Sequence, residues 1–215
     1  MEKFDLCVIG GGPSGYAAAM RAVDFDKTVL LVERDRLGGA GIYDGALSSK
    51  TFWDISKEFA SFSKKMRHYG LSEPNVNFHN VLQEVNDAVF ERTDQLEQHL
   101  QKIIQQRPEH FRYLKGNASL LSTSEIEVKT DSGSQKIFAE YIIIATGSRP
   151  RKLDTIPFDE KVIMTSDGIS SLTEFPERLV ILGAGVIGCA FATIFSNHGK
   201  RSCHLIPKDK RIIPY

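Results

Sequence analysis

The feature that most constrains the fold is a glycine-rich turn between a short apolar strand and a helix. The apolar run of residues 4–9 ends at Gly10, and Gly12 and Gly15 complete a G-x-G-x-x-G pattern. Such a turn brings the backbone close to a diphosphate, while the amides and positive dipole end of the following helix face the phosphates. The pattern therefore predicts a dinucleotide site at the start of a helix running from Pro13 to about residue 25.

A second apolar run, residues 27–32, follows the helix and closes with Glu33. Strand, helix and strand together make a unit of about 30 residues. A carboxylate at this distance can accept the ribose hydroxyls of an adenosine. Three glycines alone could be an ordinary loop, and Glu33 alone a solvated acid, but the ordered combination favours nucleotide binding.

A second glycine turn appears at Gly183, Gly185 and Gly188, after the apolar residues 179–182 and before a helix to about residue 198. Two such units predict two dinucleotides, or one dinucleotide and one decayed site. Pro207 stands where a second ribose-binding acid is expected. The surrounding tail is basic, with Lys200, Arg201, Lys208, Lys210 and Arg211. These cations favour the 2′-phosphate of NADPH over NADH, or they are a solvated strand end.

The middle of the chain predicts two helices and a small β-meander. Apolar residues recur at helical spacing over residues 52–66 and over residues 81–103. Asn80 and Gln83 predict a capping box at the start of the second helix. Short β-rich segments follow between residues 111 and 145, with separate pieces at 136–138 and 141–145.

The predicted fold class is therefore α/β. Residues 1–150 form a Rossmann-like domain, a parallel sheet with a small meander and a helical insertion. Residues 151–215 form the beginning of a second Rossmann-like, nucleotide-binding domain.

Composition excludes several other classes of protein. The 27 Lys and Arg residues balance the 27 Asp and Glu residues, which gives no reason to expect nucleic acid or an anionic membrane as partner. No apolar run reaches the roughly 18 residues of a membrane span. The widely spaced Cys7, Cys189 and Cys203 are predicted to be packed thiols, and neither they nor the six histidines have metal-ligand spacing. No signal peptide is visible, and this cysteine usage suits a reducing cytoplasm.

Three further motifs lie between the two turns. Residues 141–150 contain A-T-G at the end of a strand, residues 115–118 contain G-x-A, and residues 165–167 read T-S-D. In this order with the glycine turns, they resemble the pyridine nucleotide-disulfide oxidoreductase family, which includes dihydrolipoamide dehydrogenase, mercuric reductase, glutathione reductase and soluble transhydrogenase. The resemblance implies that the first unit binds FAD and the second binds NAD(P)H.

The resemblance also implies which residues contact the cofactors. The expected FAD contacts are Gly10, Gly12, Pro13, Ser14, Gly15, Glu33, Arg34, Gly39, Ala40, Gly41, Lys50, Ala118, Ala145, Thr146 and Gly147. The expected NAD(P)H contacts are Gly183, Gly185, Val186, Ile187 and Gly188. Ser166, from the T-S-D segment, is expected to contact cofactor as well.

One segment departs from the family pattern. The family's redox segment, G-G-T-C-x-N-x-G-C-x-P-S-K, corresponds to residues 38–50, where Gly41 and Ala46 occupy the two cysteine positions. Without a thiolate there is no thiol–disulfide exchange. Lys50 is retained, but its family glutamate partner corresponds to Ala190. A buried lysine without that carboxylate needs another partner or has a lowered pKa, and the alternative is a surface lysine at a helix start.

These observations predict an FAD-dependent oxidoreductase that passes hydride from NAD(P)H to FAD and on to a small-molecule acceptor without a redox disulfide. Lys50 is the predicted catalytic residue, beside the reacting edge of the flavin. A quinone, a metal centre, oxygen or a second nucleotide is open as acceptor. The alternative is a non-catalytic FAD-binding paralogue or an inactive fragment. We expect the chain to be the front part of a longer protein that dimerises through a C-terminal domain.

Overall fold

The computed structural model describes residues 2–72, 75–151, 155–198 and 202–206. Two compact units make up the chain. The first contains residues 1–43 and 90–149, and the second contains residues 44–89 and 150–215. The predicted boundary at residue 150 between two nucleotide-binding domains stays a prediction.

The first unit is built on a six-stranded sheet with the order β3-β2-β1-β6-β5-β4. Its strands are β1 (Glu2–Ile9), β2 (Val29–Glu33), β3 (Phe111–Lys115), β4 (Asn117–Leu120), β5 (Glu125–Thr130) and β6 (Gly133–Ile144). The first four in the sheet order are parallel, and β6, β5 and β4 form an antiparallel meander. This arrangement confirms the predicted α/β class, and β4 is a strand that the sequence did not predict.

The parallel centre of this sheet is buried on both faces. Val29 and Leu31 of β2 pack in the cluster that includes Ala19 of α1 (Pro13–Asp24) and Leu100 of α4 (Phe78–Gln106). Their neighbours Leu30 and Val32 point to the opposite face, in the cluster that contains β5 and β6 residues. Because alternate side chains of a strand face opposite ways, a strand covered twice reads as an unbroken apolar run.

The predicted separate strands at 136–138 and 141–145 are wrong, because residues 133–144 form the single strand β6. Its beginning pairs with β5 and its end pairs with β1, so that Ile137 has a partner in each. Ala139 is fully buried and pairs with Phe4. The polar residues between the apolar pieces suggested a break, but pairing to β1 continues on both sides of Glu140.

The second unit combines helices with a two-stranded parallel sheet. Its elements are α3 (Ala46–His68), the first part of α4, a 3-10 helix (Ser166–Ser171), α5 (Val186–Asn197), β7 (Arg178–Leu182) and β8 (Ser202–Ile206). An aromatic cluster forms its core, with the rings of Phe78 and Phe175 4.6 Å apart and Phe195 beside them. Among the helices described here, none has the length and apolarity needed to cross a membrane.

The predicted capping box at Asn80 and Gln83 is also wrong. Helix α4 begins at Phe78, and the side chain of Asn77 accepts a hydrogen bond from the amide of His79 at 2.9 Å. Asn80 therefore lies inside the first helical turn. Phe78 is 4% exposed, and its place in the aromatic cluster requires the helix to begin earlier than its spacing pattern alone indicates.

Candidate dinucleotide-binding sites

The first glycine turn lies between β1 and α1 and is closed by contacts that exclude side chains. Gly10 has φ +110°, and its amide donates to the carbonyl of Val32 at 2.8 Å. A Cβ on Gly10 would overlap the backbone of Ala145, and one on Gly15 would overlap the carbonyl of Gly10. The turn is therefore pressed against β6 on one side and against its own helix on the other.

Gly12 differs from its two partners because the space in front of it is open. Among the residues that the structure describes, a Cβ there would meet no heavy atom within 4 Å. Gly12 caps α1 in an extended conformation, without a side-chain cap, and Pro13 occupies the first helical turn. Pro13 and Ser14 are exposed. Uncapped amides at a helix start, with open space before them, make a cradle that suits a diphosphate.

The carboxylate of Glu33 is held beside this turn by two backbone amides. One oxygen accepts from Gly11 at 2.6 Å, and the other accepts from Asp35 at 2.8 Å. The side chain is half-buried and fixed in direction. Gly11, the glycine that positions the acid, is not one of the three glycines of the G-x-G-x-x-G pattern. The sequence signal for Gly11 is its place in the middle of the Gly10–Gly12 run, where the motif itself does not require a glycine.

The segment in the position of the family's redox motif packs along the same turn. Gly38 donates to the carbonyl of Gly11 at 2.8 Å, and α2 (Gly39–Ile42) follows. A Cβ on Gly39 would lie 3.5 Å from Cα of Gly12, and one on Gly41 would overlap the ring of Pro13. The backbone at Gly41 thus has no room for a cysteine side chain in this conformation.

The A-T-G segment borders the turn on the β6 side. The amide of Ala145 donates to Ile9 at 2.7 Å, and Gly147 has φ +69°. Thr146 and Gly147 are exposed. Of the other predicted contacts, Arg34 and Ala40 are exposed, whereas Ala118 of β4 pairs with Val128 of β5 and packs against the core.

The second glycine turn repeats the geometry of the first. Gly183 has φ +105°, and its amide donates to Ile206 at 2.8 Å. Gly185 caps α5, and no atom of the described residues lies within 4 Å of its Cβ position. A Cβ on Gly188 would overlap the carbonyl of Gly183. Gly183 differs from Gly10, because no described residue covers it in the way that the Ala145 backbone covers Gly10. Within the described residues, β7 pairs only with β8.

A cleft of about 1050 Å³ lies along the second turn. Its lining includes all the predicted second-turn residues together with Ser166, so the structure groups the T-S-D segment with this turn. Thr165 holds that segment in place, since its hydroxyl accepts from the amide of Asp167. The predicted second-ribose and 2′-phosphate positions (Pro207, Lys200, Arg201, Lys208, Lys210 and Arg211) lie outside the described residues.

Lys50 lies in the first turns of α3, in the second compact unit. Its ammonium is 3.5 Å from the carboxylate of Asp54 one helical turn later, and its side chain is 73% exposed. This position fits the alternative of a surface lysine at a helix start, paired with an acid four residues later on the same helix. Ala46, at the second cysteine position, begins the same helix.

The three cysteines are free thiols. Cys7 is fully buried on β1, as predicted, and burial raises the pKa of its thiol to about 12. Burial also raises the pKa of Cys203, while Cys189 donates to the carbonyl of Ala184 at 3.5 Å. In the parts of the chain that the structure describes, no group of three or more potential metal ligands occurs.

The class of protein follows from this geometry. A parallel sheet with a glycine turn after its first strand and an acid at the end of its second is the Rossmann-like FAD-binding fold of the disulfide oxidoreductases. The chain belongs to the pyridine nucleotide-disulphide oxidoreductase family, whose model matches residues 4–215.

Individual relatives agree with this assignment. The chain is 32% identical to a dihydrolipoyl dehydrogenase of Bacillus subtilis, over 97% of this chain and 45% of the relative. It is 32% identical to a soluble pyridine nucleotide transhydrogenase of Hahella chejuensis, over 99% and 45%. The crystal structure of LpdA from Mycobacterium tuberculosis has the same fold, with a TM-score of 0.83, 21% identity and coverage of 100% and 46%. The chain thus spans a little under half the length of these proteins.

Proposed function

We propose that the protein is an FAD-dependent oxidoreductase related to dihydrolipoyl dehydrogenase, which oxidises NAD(P)H and passes the electrons to an acceptor without a redox disulfide. The observation that carries this proposal is the presence of two glycine turns with one geometry in a single chain. The chain belongs to a family named for oxidoreduction with pyridine nucleotides and disulphides, and each turn has open space at the second glycine of its motif.

The first turn fits FAD. A Cβ on Gly12 would occupy the open space through which a phosphate can approach the backbone. Glu33 already has its carboxylate fixed by Gly11 and Asp35, so it is preorganised to accept ribose hydroxyls. We propose that Gly12, the first turn of α1 and Glu33 hold the adenosine diphosphate part of FAD.

The second turn fits a nicotinamide dinucleotide by the same argument. Gly185 provides the open position, and Val186, Ile187 and Ser166 line the adjoining cleft. We propose that NAD(P)H binds along this cleft.

When bound, FAD supplies the redox chemistry, since it accepts a hydride and releases electrons. The protein contributes position and charge. Lys50 is our proposed catalytic residue, because a cation at the reacting edge stabilises the negative charge that develops there. Its ammonium lies 3.5 Å from the carboxylate of Asp54 on the same helix.

The acceptor is the part of the reaction that the missing cysteines change. Neither Gly41 nor Ala46 can form a disulfide, and Gly41 lacks the space for a thiol. We therefore propose a small-molecule acceptor other than a disulfide. The relative named as a transhydrogenase favours a second nicotinamide nucleotide as one specific candidate. We also propose that the active form is a homodimer, assembled through a domain beyond these residues.

The proposal is tested with the visible spectrum of the purified full-length protein, before and after anaerobic addition of NADH or NADPH. We expect a flavin spectrum that bleaches promptly with one of the two. A protein without flavin that does not bind added FAD contradicts the proposal. A flavin that neither nucleotide bleaches supports the non-catalytic alternative.

Lys50 is tested by comparing Lys50→Met with Lys57→Met, another exposed lysine of α3. We expect Lys50→Met to slow bleaching about tenfold or more, the effect of losing one charge at the reacting centre. Lys57→Met should bleach at the wild-type rate. Equal rates for both variants contradict a catalytic role.

A further inference from the structure

Asp35 and Arg149 join two loops across the end of β1. The guanidinium of Arg149 lies 3.5 Å from the carboxylate of Asp35. Asp35 follows β2 and Arg149 follows β6, and these two strands flank β1 on opposite sides. The ion pair therefore spans the strand end from which the first glycine turn leaves the sheet.

Both partners are tied to that turn through their own segments. The amide of Asp35 donates to Glu33, whose other oxygen accepts from Gly11. Arg149 lies four residues after Ala145, whose backbone touches Gly10. The pair thus has a defined place beside the carboxylate that marks the ribose end of the proposed site.

The ion pair itself is accessible to a ligand. Its two side chains are 61% and 55% exposed, and exposed pairs at such distances contribute little to folding stability. A guanidinium also has a flat face that stacks on aromatic rings and a fork of donors that suits phosphate. The chemistry of this position therefore suits the adenosine half of a dinucleotide better than it suits structural support.

We propose that Asp35 and Arg149 form a strap that closes over the adenosine end of the bound dinucleotide. Arg149 contacts the ligand, and Asp35 is the positioning residue that holds the guanidinium over the site. This inference rests on the proposed function only in identifying FAD as the natural ligand. It adds a contact that none of the glycine-turn or acid residues provides.

The test measures equilibrium dissociation constants of the full-length apoprotein for FAD, ADP and FMN, for wild type, Arg149→Gln, Asp35→Asn and the double variant. We expect each single variant to weaken FAD and ADP about tenfold and to leave FMN unchanged, since FMN lacks adenosine. The double variant should lose no more than the worse single variant, because the two side chains act as one unit.

Arg21 and Asp24 on α1 provide the matched control. They form an ion pair of the same 3.5 Å length and similar exposure. Arg21→Gln and Asp24→Asn should leave all three constants unchanged, and thermal unfolding of every apoprotein should match wild type.

Wild-type affinity of Arg149→Gln for FAD and ADP, or additive losses in the double variant, would overturn the strap. An equal loss of FMN affinity would overturn it as well. Failure of the proposed function has a different signature: wild-type protein binds ADP but does not bind FAD. In that case the ADP series alone supports or overturns the strap.

Discussion

Single glycines in the first turn have different physical roles. A side chain at Gly10 or Gly15 would overlap backbone atoms, whereas Gly12 faces space that no described residue fills. Gly10 and Gly15 therefore allow the close packing of the turn, and Gly12 leaves room for a ligand. This difference separates folding effects from binding effects at neighbouring positions.

The first prediction compares Gly12→Ala with Gly15→Ala. The Gly15 methyl group would overlap the Gly10 carbonyl and force α1 away from the sheet, so we expect about 2 kcal/mol lower unfolding free energy. Gly12→Ala should lose less than about 1 kcal/mol, the size of a cap effect, yet weaken FAD binding at least tenfold. Denaturant unfolding and FAD titration of both variants check this. Unchanged FAD affinity in Gly12→Ala contradicts the cradle.

The second prediction concerns pH and Cys7. In the unfolded chain the pKa of the thiol is near 9.0, while in the folded protein burial raises this pKa to about 12. Between these values the unfolded state binds fewer protons, so stability falls as pH rises, by at most about 1.4 kcal/mol per pH unit. Below pH 9 this contribution is fully present.

Denaturant unfolding between pH 8 and 11 measures the effect. Cys7→Ala should show a shallower loss of stability with pH than wild type, and Val8→Ala, a neighbouring core truncation, should keep the wild-type slope. Identical slopes in all three proteins rule out the buried thiol as the cause.

Elements begin and end where tertiary contacts require. Strand β6 continues through Glu140 because β1 pairs with it on both sides, and α4 begins at Phe78 because that ring joins the aromatic cluster. In both cases the local pattern indicates the element, and a distant partner sets its limit.

The third prediction tests the start of α4. Asn77→Ala removes the acceptor for the His79 amide, and we expect it to lower the unfolding free energy by about 1 kcal/mol. Asn80→Ala lies inside the helix and should be neutral or slightly stabilising, because alanine has the higher helix propensity. If urea unfolding shows that Asn80→Ala lowers the unfolding free energy more than Asn77→Ala does, the helix cap is at Asn80.

At the scale of the whole molecule, two copies of one turn lie in separate compact units. Their open positions, Gly12 and Gly185, are equivalent by geometry. They differ in surroundings, since Ala145 covers Gly10 in the first turn, while no residue in the described part of the chain covers Gly183 in the second. Because the turn is duplicated, a substitution in one copy can weaken the binding of one proposed nucleotide and leave the binding of the other unchanged.

The fourth prediction uses that equivalence in the full-length protein. Gly185→Ala should keep the flavin spectrum of wild type but need at least tenfold more NAD(P)H for half-maximal bleaching, because its methyl group enters the second cradle. Gly12→Ala should instead lose the flavin. If Gly185→Ala also loses the flavin, or bleaches at wild-type nucleotide concentration, the assignment of the second turn is wrong.

Local patterns predicted much of the fold. Apolar periodicity indicated α3 and α4, and the glycine spacing indicated both turns and the helices α1 and α5 that follow them, because these signals arise within a few residues. The limits of β6 and the cap of α4 did not follow, since they depend on β1 and on Phe175. The contact of Gly11 with Glu33 did not follow either, because it joins residues 22 apart in sequence. The Lys50–Asp54 pair has the local i,i+4 spacing of a helix and could have been predicted from the sequence.

The sequence by itself determined that the chain can form two strand–turn–helix units with open glycine positions, and that residues 41 and 46 lack thiols. Both are properties of the order of residue types. Only the tertiary structure decided that Gly11 orients Glu33, that Pro13 closes the space at Gly41, and that Asp35 reaches Arg149 across β1. The physical reason is that these contacts join segments far apart in sequence, whose approach is set by strand order and packing of the sheet.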